Sequence, residues 1–311
     1  MSEFISFGEV LIDFISRDYV RGLKNASTFD KYLGGSPSNI AVNIAKQGFN
    51  STVVSRVGND PFGDFILEKL SSYGINNHYI IQDDMYQTDI VYVLKSQTSP
   101  EFYPFRSASL NLEIPKDFNN ILNGLKIFHL SSWAISSDKN LKNSLQMIKE
   151  AKKKGAYIGF DPNYRKILWK TSIDIDDVLR LILPYIDFLK PSLDDCINIF
   201  QKDKREEEYI DIFHNSGVKN VILTLGEKGF IVSDGSQKVN FNSYAKEVKD
   251  TTGAGDAFWS GFYIGILTGL NIIESSKLGN AFSAEKLKYV GAIADIEDYK
   301  KILKKYEIKK L

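Results

Sequence analysis

Short β-rich runs alternate with helical segments along most of this chain, and few folds accommodate that rhythm. The runs fall at 4–7, 51–57, 127–130, 157–160, 188–190, 220–224 and 229–233. Helical patterns occupy 38–47, 62–73, 139–153, 175–183, 194–200 and 206–214. Gly48, Gly74, Gly155 and Gly217 each follow a helix, where a left-handed residue closes the last turn and glycine meets no Cβ penalty. Neighbouring parallel strands need a crossover helix between them. The spacing therefore predicts βαβ units and a mainly parallel α/β sheet with helices on both faces. Two further helices, 255–268 and 271–289, close the last third.

Residues 11–33 and 88–110 break the rhythm by alternating apolar and polar residues without helices. Ile90-Val91-Tyr92-Val93-Leu94 and Phe102-Tyr103-Pro104-Phe105 predict strands of a small separate sheet. Insertions of this kind commonly cover a site at the C-terminal ends of the main strands, so a β-lid on one domain spanning 1–311 is expected. An exposed sheet edge there also invites a homodimer.

The chain has 39 basic and 39 acidic residues, which gives no electrostatic footprint for nucleic acid or a membrane surface. No run approaches the roughly 18 apolar residues of a membrane span, and the N-terminus lacks a signal-peptide pattern. The single cysteine, Cys196, excludes an internal disulfide and any cysteine-based zinc cluster. A cytoplasmic location is expected.

Two glycine-rich turns each open a helix. Asp250-Thr251-Thr252-Gly253-Ala254-Gly255-Asp256 runs into the apolar segment from Ala257 to Leu267. Backbone N–H groups at a helix start lack partners and point at an anion, and glycines let a phosphate approach closely. A carboxylate beside such a pocket can orient an attacking hydroxyl in phosphoryl transfer. Near the other end of the chain, Gly34-Gly35-Ser36-Pro37-Ser38-Asn39 opens a second helix. The Asn39 amide both donates and accepts, which suits a polyol, and Asp13 after the first strand is a further hydroxyl acceptor.

These two segments together resemble the signature regions of the ribokinase/PfkB family of carbohydrate kinases, and the interior Thr224-Leu225-Gly226-Glu227-Lys228-Gly229 is similar to that family's nucleotide-binding turn. The resemblance runs from Phe7-Gly8-Glu9 to the final helices. It implies a ribokinase-like, Rossmann-type core with a β-lid that moves the γ-phosphoryl of ATP to a sugar hydroxyl. Asp256 matches the base, and Gly253, Ala254 and Gly255 match the anion hole. A carboxylate at a helix N-terminus is expected to have a lowered pKa. Lys190, Ser192, Thr224, Gly226, Gly229 and Asn280 are expected at the nucleotide. Asp195, with Ser192, falls where the family's Asn-x-x-Glu motif serves Mg2+, but Ser and Asp replace Asn and Glu, so contact through water is expected. Asp250 and Thr252 match positions that often hold a monovalent cation, which would be K+.

For the sugar, Gly34, Gly35, Asp13 and Asn39 are joined by two further segments. Asp161-Pro162-Asn163-Tyr164-Arg165-Lys166-Ile167-Leu168-Trp169 resembles a segment of fructokinases, with a close variant in 2-keto-3-deoxygluconate kinases. Phe102 to Ser109, which includes Arg106, resembles the aromatic-Arg segment of the same groups. Arg106 and Arg165 could bond sugar hydroxyls or clamp a carboxylate. Fructose, converted to fructose 6-phosphate, is the leading expectation and 2-keto-3-deoxygluconate the alternative. A dinucleotide-binding oxidoreductase is disfavoured, because Phe7-Gly8-Glu9-Val10-Leu11-Ile12-Asp13 stands where Gly-x-Gly-x-x-Gly is required.

Overall fold

A computed structural model describes residues 2–95, 101–172 and 174–308. In chain order the strands are β1 (Phe4–Phe7), β2 (Leu11–Ser16), β3 (Phe29–Gly34), β4 (Ser51–Gly58), β5 (Ile80–Asp83), β6 (Asp89–Val93), β7 (Phe102–Phe105), β8 (Ile127–Ser131), β9 (Tyr157–Asp161), β10 (Phe188–Leu189), β11 (Asn220–Thr224), β12 (Phe230–Ser233) and β13 (Lys238–Phe241). The helices are α1 (Ser36–Lys46), α2 (Pro61–Ser72), α3 (Phe118–Ile121), α4 (Asp138–Lys153), α5 (Ile175–Ile182), α6 (Leu193–Phe200), α7 (Glu206–Asn215), α8 (Ala254–Leu267), α9 (Ile272–Lys286) and α10 (Tyr299–Lys305).

Nine strands form the main sheet in the order β13-β12-β11-β10-β9-β8-β1-β4-β5. Every pairing from β11 to β5 is parallel, and β12 and β13 extend one edge antiparallel. Successive strand residues point to opposite faces, and the core divides accordingly. Ile5, Val54, Phe128 and Val221 join the apolar layer under α4, α5 and α7, whereas their neighbours Phe4, Val53, Ile127 and Ile222 join the layer under α1, α8 and α9. Residues Ala257 to Gly265 of α8 are buried without a polar stripe, as in a helix covered on all sides. The short Thr268–Asn271 turn folds α9 back along α8, so the last turn of α9 lies beneath the first turn of α8.

The second sheet has the order β3-β2-β6-β7, with β2 and β6 parallel and both outer pairs antiparallel. Leu11, Ile15, Val91 and Val93 pack with Trp133 and Leu168. The small sheet thereby leans on the C-terminal ends of the main strands. β1 sits between β4 and β8, so the strand order reverses there and opens a crevice beyond its C-terminal end.

All four helix-closing glycines have positive φ, as expected. α1 begins at Ser36, earlier than the expected 38, because Pro37 fits the first turn of a helix, where its missing N–H costs nothing. α9 stops at Lys286, short of the expected 289. β5 and β13 carry too little apolar periodicity to be read from sequence, and each is an edge strand paired on one side only.

Candidate active site

A cavity of about 400 Å³ opens in that crevice. Gly253, Gly255 and Asp256 at the start of α8 and Gly35, Ser36 and Asn39 at the start of α1 form its floor. The ends of β8, β9, β10 and β11 supply Trp133, Asp161, Lys190 and Thr224, and the small sheet supplies Asp13, Val91 and Phe102.

Asp256 is the hub. Its Oδ1 accepts from the Ser36 hydroxyl at 2.7 Å and its Oδ2 from the Asn39 amide at 2.8 Å. Burial raises its pKa, and the two hydrogen bonds only partly offset this. The lowered pKa expected from the helix dipole is corrected here: loss of hydration outweighs a half-charge at the helix end. Ala254 also differs from expectation, since its N–H is taken by Thr251 O at 3.1 Å and it is not part of the cavity wall. The Gly253, Gly255 and Asp256 amides have no acceptor among the described residues. Gly253 has φ of 75°, and a side chain there would run into Ala292.

Asp13 projects from β2 beside the Asp256 carboxylate. Its pKa is pushed up to about 7, chiefly by burial and then by the charges of Asp256 and Asp250. Gly34 makes room for it, because a Cβ at residue 34 would overlap the Asp13 carboxylate. Glu9, in the loop after β1, accepts from Ser131 at 2.6 Å, and burial pushes its pKa to about 7 as well. Oδ1 of Asn39 is buried without a protein partner, which leaves an acceptor free at the cavity floor.

The opposite wall carries two ion pairs. Lys190 Nζ donates to Asp161 Oδ2 at 2.8 Å, and the Trp259 indole donates to the same oxygen at 2.8 Å. A Cβ on Gly255 would lie 3.5 Å from Lys190 Nζ, so this ammonium stands against the start of α8. Asp195 is fully engaged: Oδ2 accepts from the Ser192 N–H and hydroxyl, and Oδ1 accepts from Tyr164 N–H at 2.8 Å and faces Arg165 at 3.4 Å. Among the described residues no three His, Cys, Asp or Glu side chains converge as a metal site. With both oxygens engaged, Asp195 could meet a divalent ion only through water, a mode that suits the slow dehydration of Mg2+.

Asp250 is buried behind the floor. Oδ1 accepts from Thr252 N–H and hydroxyl, Oδ2 from Gly291 N–H at 2.8 Å, and its backbone oxygen from Lys286 Nζ at 2.8 Å.

Several anticipated residues stand off the cavity wall. Arg106 lies against Trp133, with its guanidinium 4.4 Å from the ring, and donates to Ser109, Ser136 and the Leu168 carbonyl; its Nη2 has no protein partner. Gly226 and Gly229 form the turn after Thr224, and Asn280 pins the 242–244 loop through Asn242 O and Tyr244 N–H. Conversely, Ser36, Glu9 and Lys286 were not singled out from sequence. Ser36 carried a signal, because Ser36 and Asn39 at i and i+3 share one face of a helix start. Lys286 carried none, since it reads as an ordinary basic residue at a helix end.

The family model "pfkB family carbohydrate kinase" matches residues 1–298. The chain is 43% identical to an ATP-dependent 6-phosphofructokinase of Thermoanaerobacterium thermosaccharolyticum, over 99% of this chain and 94% of that protein. It superposes on the fructokinase of Halothermothrix orenii with a TM-score of 0.82 at 36% identity, covering 92% of this chain and all of that one. A sugar kinase from Pyrococcus horikoshii solved in complex with ATP superposes with a TM-score of 0.79 at 30% identity, covering 96% of this chain and 100% of that one.

Proposed function

Because this chain belongs to the pfkB family of carbohydrate kinases, we propose that it transfers the γ-phosphoryl group of ATP to the 6-hydroxyl of fructose. One observation carries the reading: a carboxylate held by two neutral donors lies beside unpaired amides at a helix start. The sugar rests on Asp13, Gly35 and the free acceptor of Asn39, with its reacting hydroxyl against Asp256. The hydroxyl oxygen bonds to the γ-phosphorus as the bond to the β-phosphate oxygen breaks, the proton passes to Asp256, and ADP leaves. A carboxylate whose pKa is raised by burial is a better proton acceptor than an ordinary one, and the loose transition state asks for the proton late.

The Gly253 and Gly255 amides and Lys190 meet the charge on the transferring phosphoryl oxygens. Ser192 and Thr224 border the nucleotide phosphates, and the base lies beyond Thr224 along the Gly226–Gly229 turn and the loop that Asn280 holds. Mg2+ bound to the phosphates supplies charge neutralisation there. The small sheet serves as the lid, and its outward aromatic face, with Tyr103 and Phe105 exposed, is where a second copy would dock.

A second reading takes fructose 6-phosphate as acceptor. The 43% identical relative is named for that activity, and Arg165, about one-third exposed, could receive the extra phosphate. The acidic surroundings of the acceptor end, with Glu9, Asp13 and Asp256 together, favour the uncharged sugar. The 2-keto-3-deoxygluconate alternative needs both arginines on one carboxylate, and Arg106 is held against Trp133 instead. An ADP-release assay with ATP, Mg2+ and each of the three acceptors tests the choice. Preference for fructose 6-phosphate would replace fructose as substrate, and turnover of none would overturn the kinase reading.

A further inference from the structure

Lys286 is fully buried at the last turn of α9, and its ammonium points at the peptide that begins the glycine-rich turn. Nζ donates to the Asp250 carbonyl at 2.8 Å and stands 3.9 Å from Asp250 Oδ2. A buried ammonium persists only where nearby charge and hydrogen bonds compensate its lost hydration. Asp250 supplies both, and Asp256 adds a longer-range attraction. Burial lowers the Lys286 pKa to about 8, so the group still carries its charge at neutral pH.

We propose that the Lys286 ammonium is a built-in cation that holds the Asp250–Gly255 turn in shape, so that this protein needs no monovalent metal ion there. The inference rests on reading that turn as the anion-binding element of a kinase. K+ and an ammonium group carry the same charge, are similar in size, and both seek carbonyl oxygens in place of water. Each oxygen at Asp250 already has a protein donor. Its carbonyl serves Lys286, Oδ1 serves Thr252 and Oδ2 serves Gly291. A second cation would displace those donors and face the ammonium directly, a like-charge contact in a buried region. The K+ expected at Asp250 and Thr252 therefore does not fit this chain.

The consequence runs through the backbone. Asp250 fixes Thr252 through two hydrogen bonds, and Gly253 follows directly, so the direction of the Gly253 and Gly255 amides depends on how Asp250 is held. Lys286 is a positioning residue and touches neither substrate.

Turnover and melting temperature are measured at equal ionic strength in potassium chloride and in choline chloride. For the parent protein, kcat agrees between the two salts within about twofold, and the melting temperature is the same, since an ion that binds the folded state would raise it. Lys286→Met loses about tenfold or more in kcat in choline chloride, with a much smaller change in KM for the sugar, and potassium or ammonium restores part of the loss. A parent protein activated or thermally stabilised by potassium overturns the proposal. So does a Lys286→Met protein that keeps its activity, or one that folds but is not rescued. If that variant does not fold, the parent comparison alone decides. A parent protein without any sugar kinase activity sinks the kinase reading, while the melting comparison still judges Lys286.

Discussion

The Asn39 amide donates to Oδ2 of Asp256 at 2.8 Å across 217 residues of sequence and ties the first turn of α1 to the first turn of α8. The two glycine turns recognisable in the sequence are therefore one object in space. Asn39 and Ser36 are uncharged, so they fix the plane of the carboxylate without giving it a counter-ion. Its basicity is then set mainly by burial, and burial raises it.

Asp256→Asn keeps the size and both neighbours but cannot take a proton. We expect kcat to fall by about a thousandfold or more, while the KM values for sugar and ATP change only a few-fold. Steady-state kinetics checks this, and near-parental turnover would remove Asp256 from the role of base.

The elevated pKa of Asp13 makes a pH prediction with a definite sign. Below about 7 the free protein holds Asp13 protonated, and it can no longer accept from two sugar hydroxyls. kcat/KM for the sugar should then drop toward acid by about tenfold per pH unit, and Asp13→Asn should be low and keep only the shallower limb that Glu9 and Asp256 leave. Stability moves the opposite way. Between the ordinary value of 3.8 and about 7 the folded state binds a proton that the unfolded state has lost, so stability falls as pH rises through this window. Asp13→Asn should therefore melt above the parent protein at pH 8, with the gap closing toward pH 4. Calorimetry at the two pH values reads it, and an unchanged gap would show that Asp13 has an ordinary pKa.

The alternation of strands and helices was legible because each element buries an apolar face with its own period, and four helix stops were marked by glycine. The carboxylate and its two glycine turns were legible because an open helix start calls for small residues at a fixed spacing from its polar side chains. What escaped were properties of the assembled fold. The raised pKa of Asp256 depends on its burial in the assembled fold and on the charge of Asp161, 95 residues earlier in the chain. Arg106 packs on Trp133 because the single helical turns at Ala108–Asn111 and Lys166–Leu168 meet there, which no local pattern announces. Lys286 acquires its partner only because α9 folds back under α8.

Arg165 separates the two acceptors. It is about one-third exposed, at the cavity mouth, beside Asp195. If fructose is the substrate, Arg165→Ala should raise the sugar KM by about tenfold or less, the loss of one charge-assisted hydrogen bond, and leave the KM for ATP nearly unchanged. If fructose 6-phosphate is the substrate, the loss for that acceptor should be far larger, because a phosphate would lose its bidentate partner. An effect confined to ATP would move Arg165 to the nucleotide side.

Lys190 and Asp161 offer a test that separates stability from catalysis. The pair is nearly buried at 2.8 Å, and Trp259 donates to the same Asp161 oxygen. Removing only Lys190, as Lys190→Met, strips the counter-charge from a buried carboxylate, and breaking such a pair costs about 3–5 kcal/mol. Adding Asp161→Asn removes the uncompensated charge, so the double variant should recover much of that stability. It should not recover turnover, because the ammonium that stands 3.5 Å from the Gly255 Cβ direction is still missing from the phosphoryl site. Denaturant unfolding of the two single variants and the double variant, set beside kcat for each, measures both couplings. Recovery of activity together with stability would mean that Lys190 serves only to neutralise Asp161 and has no part in phosphoryl transfer.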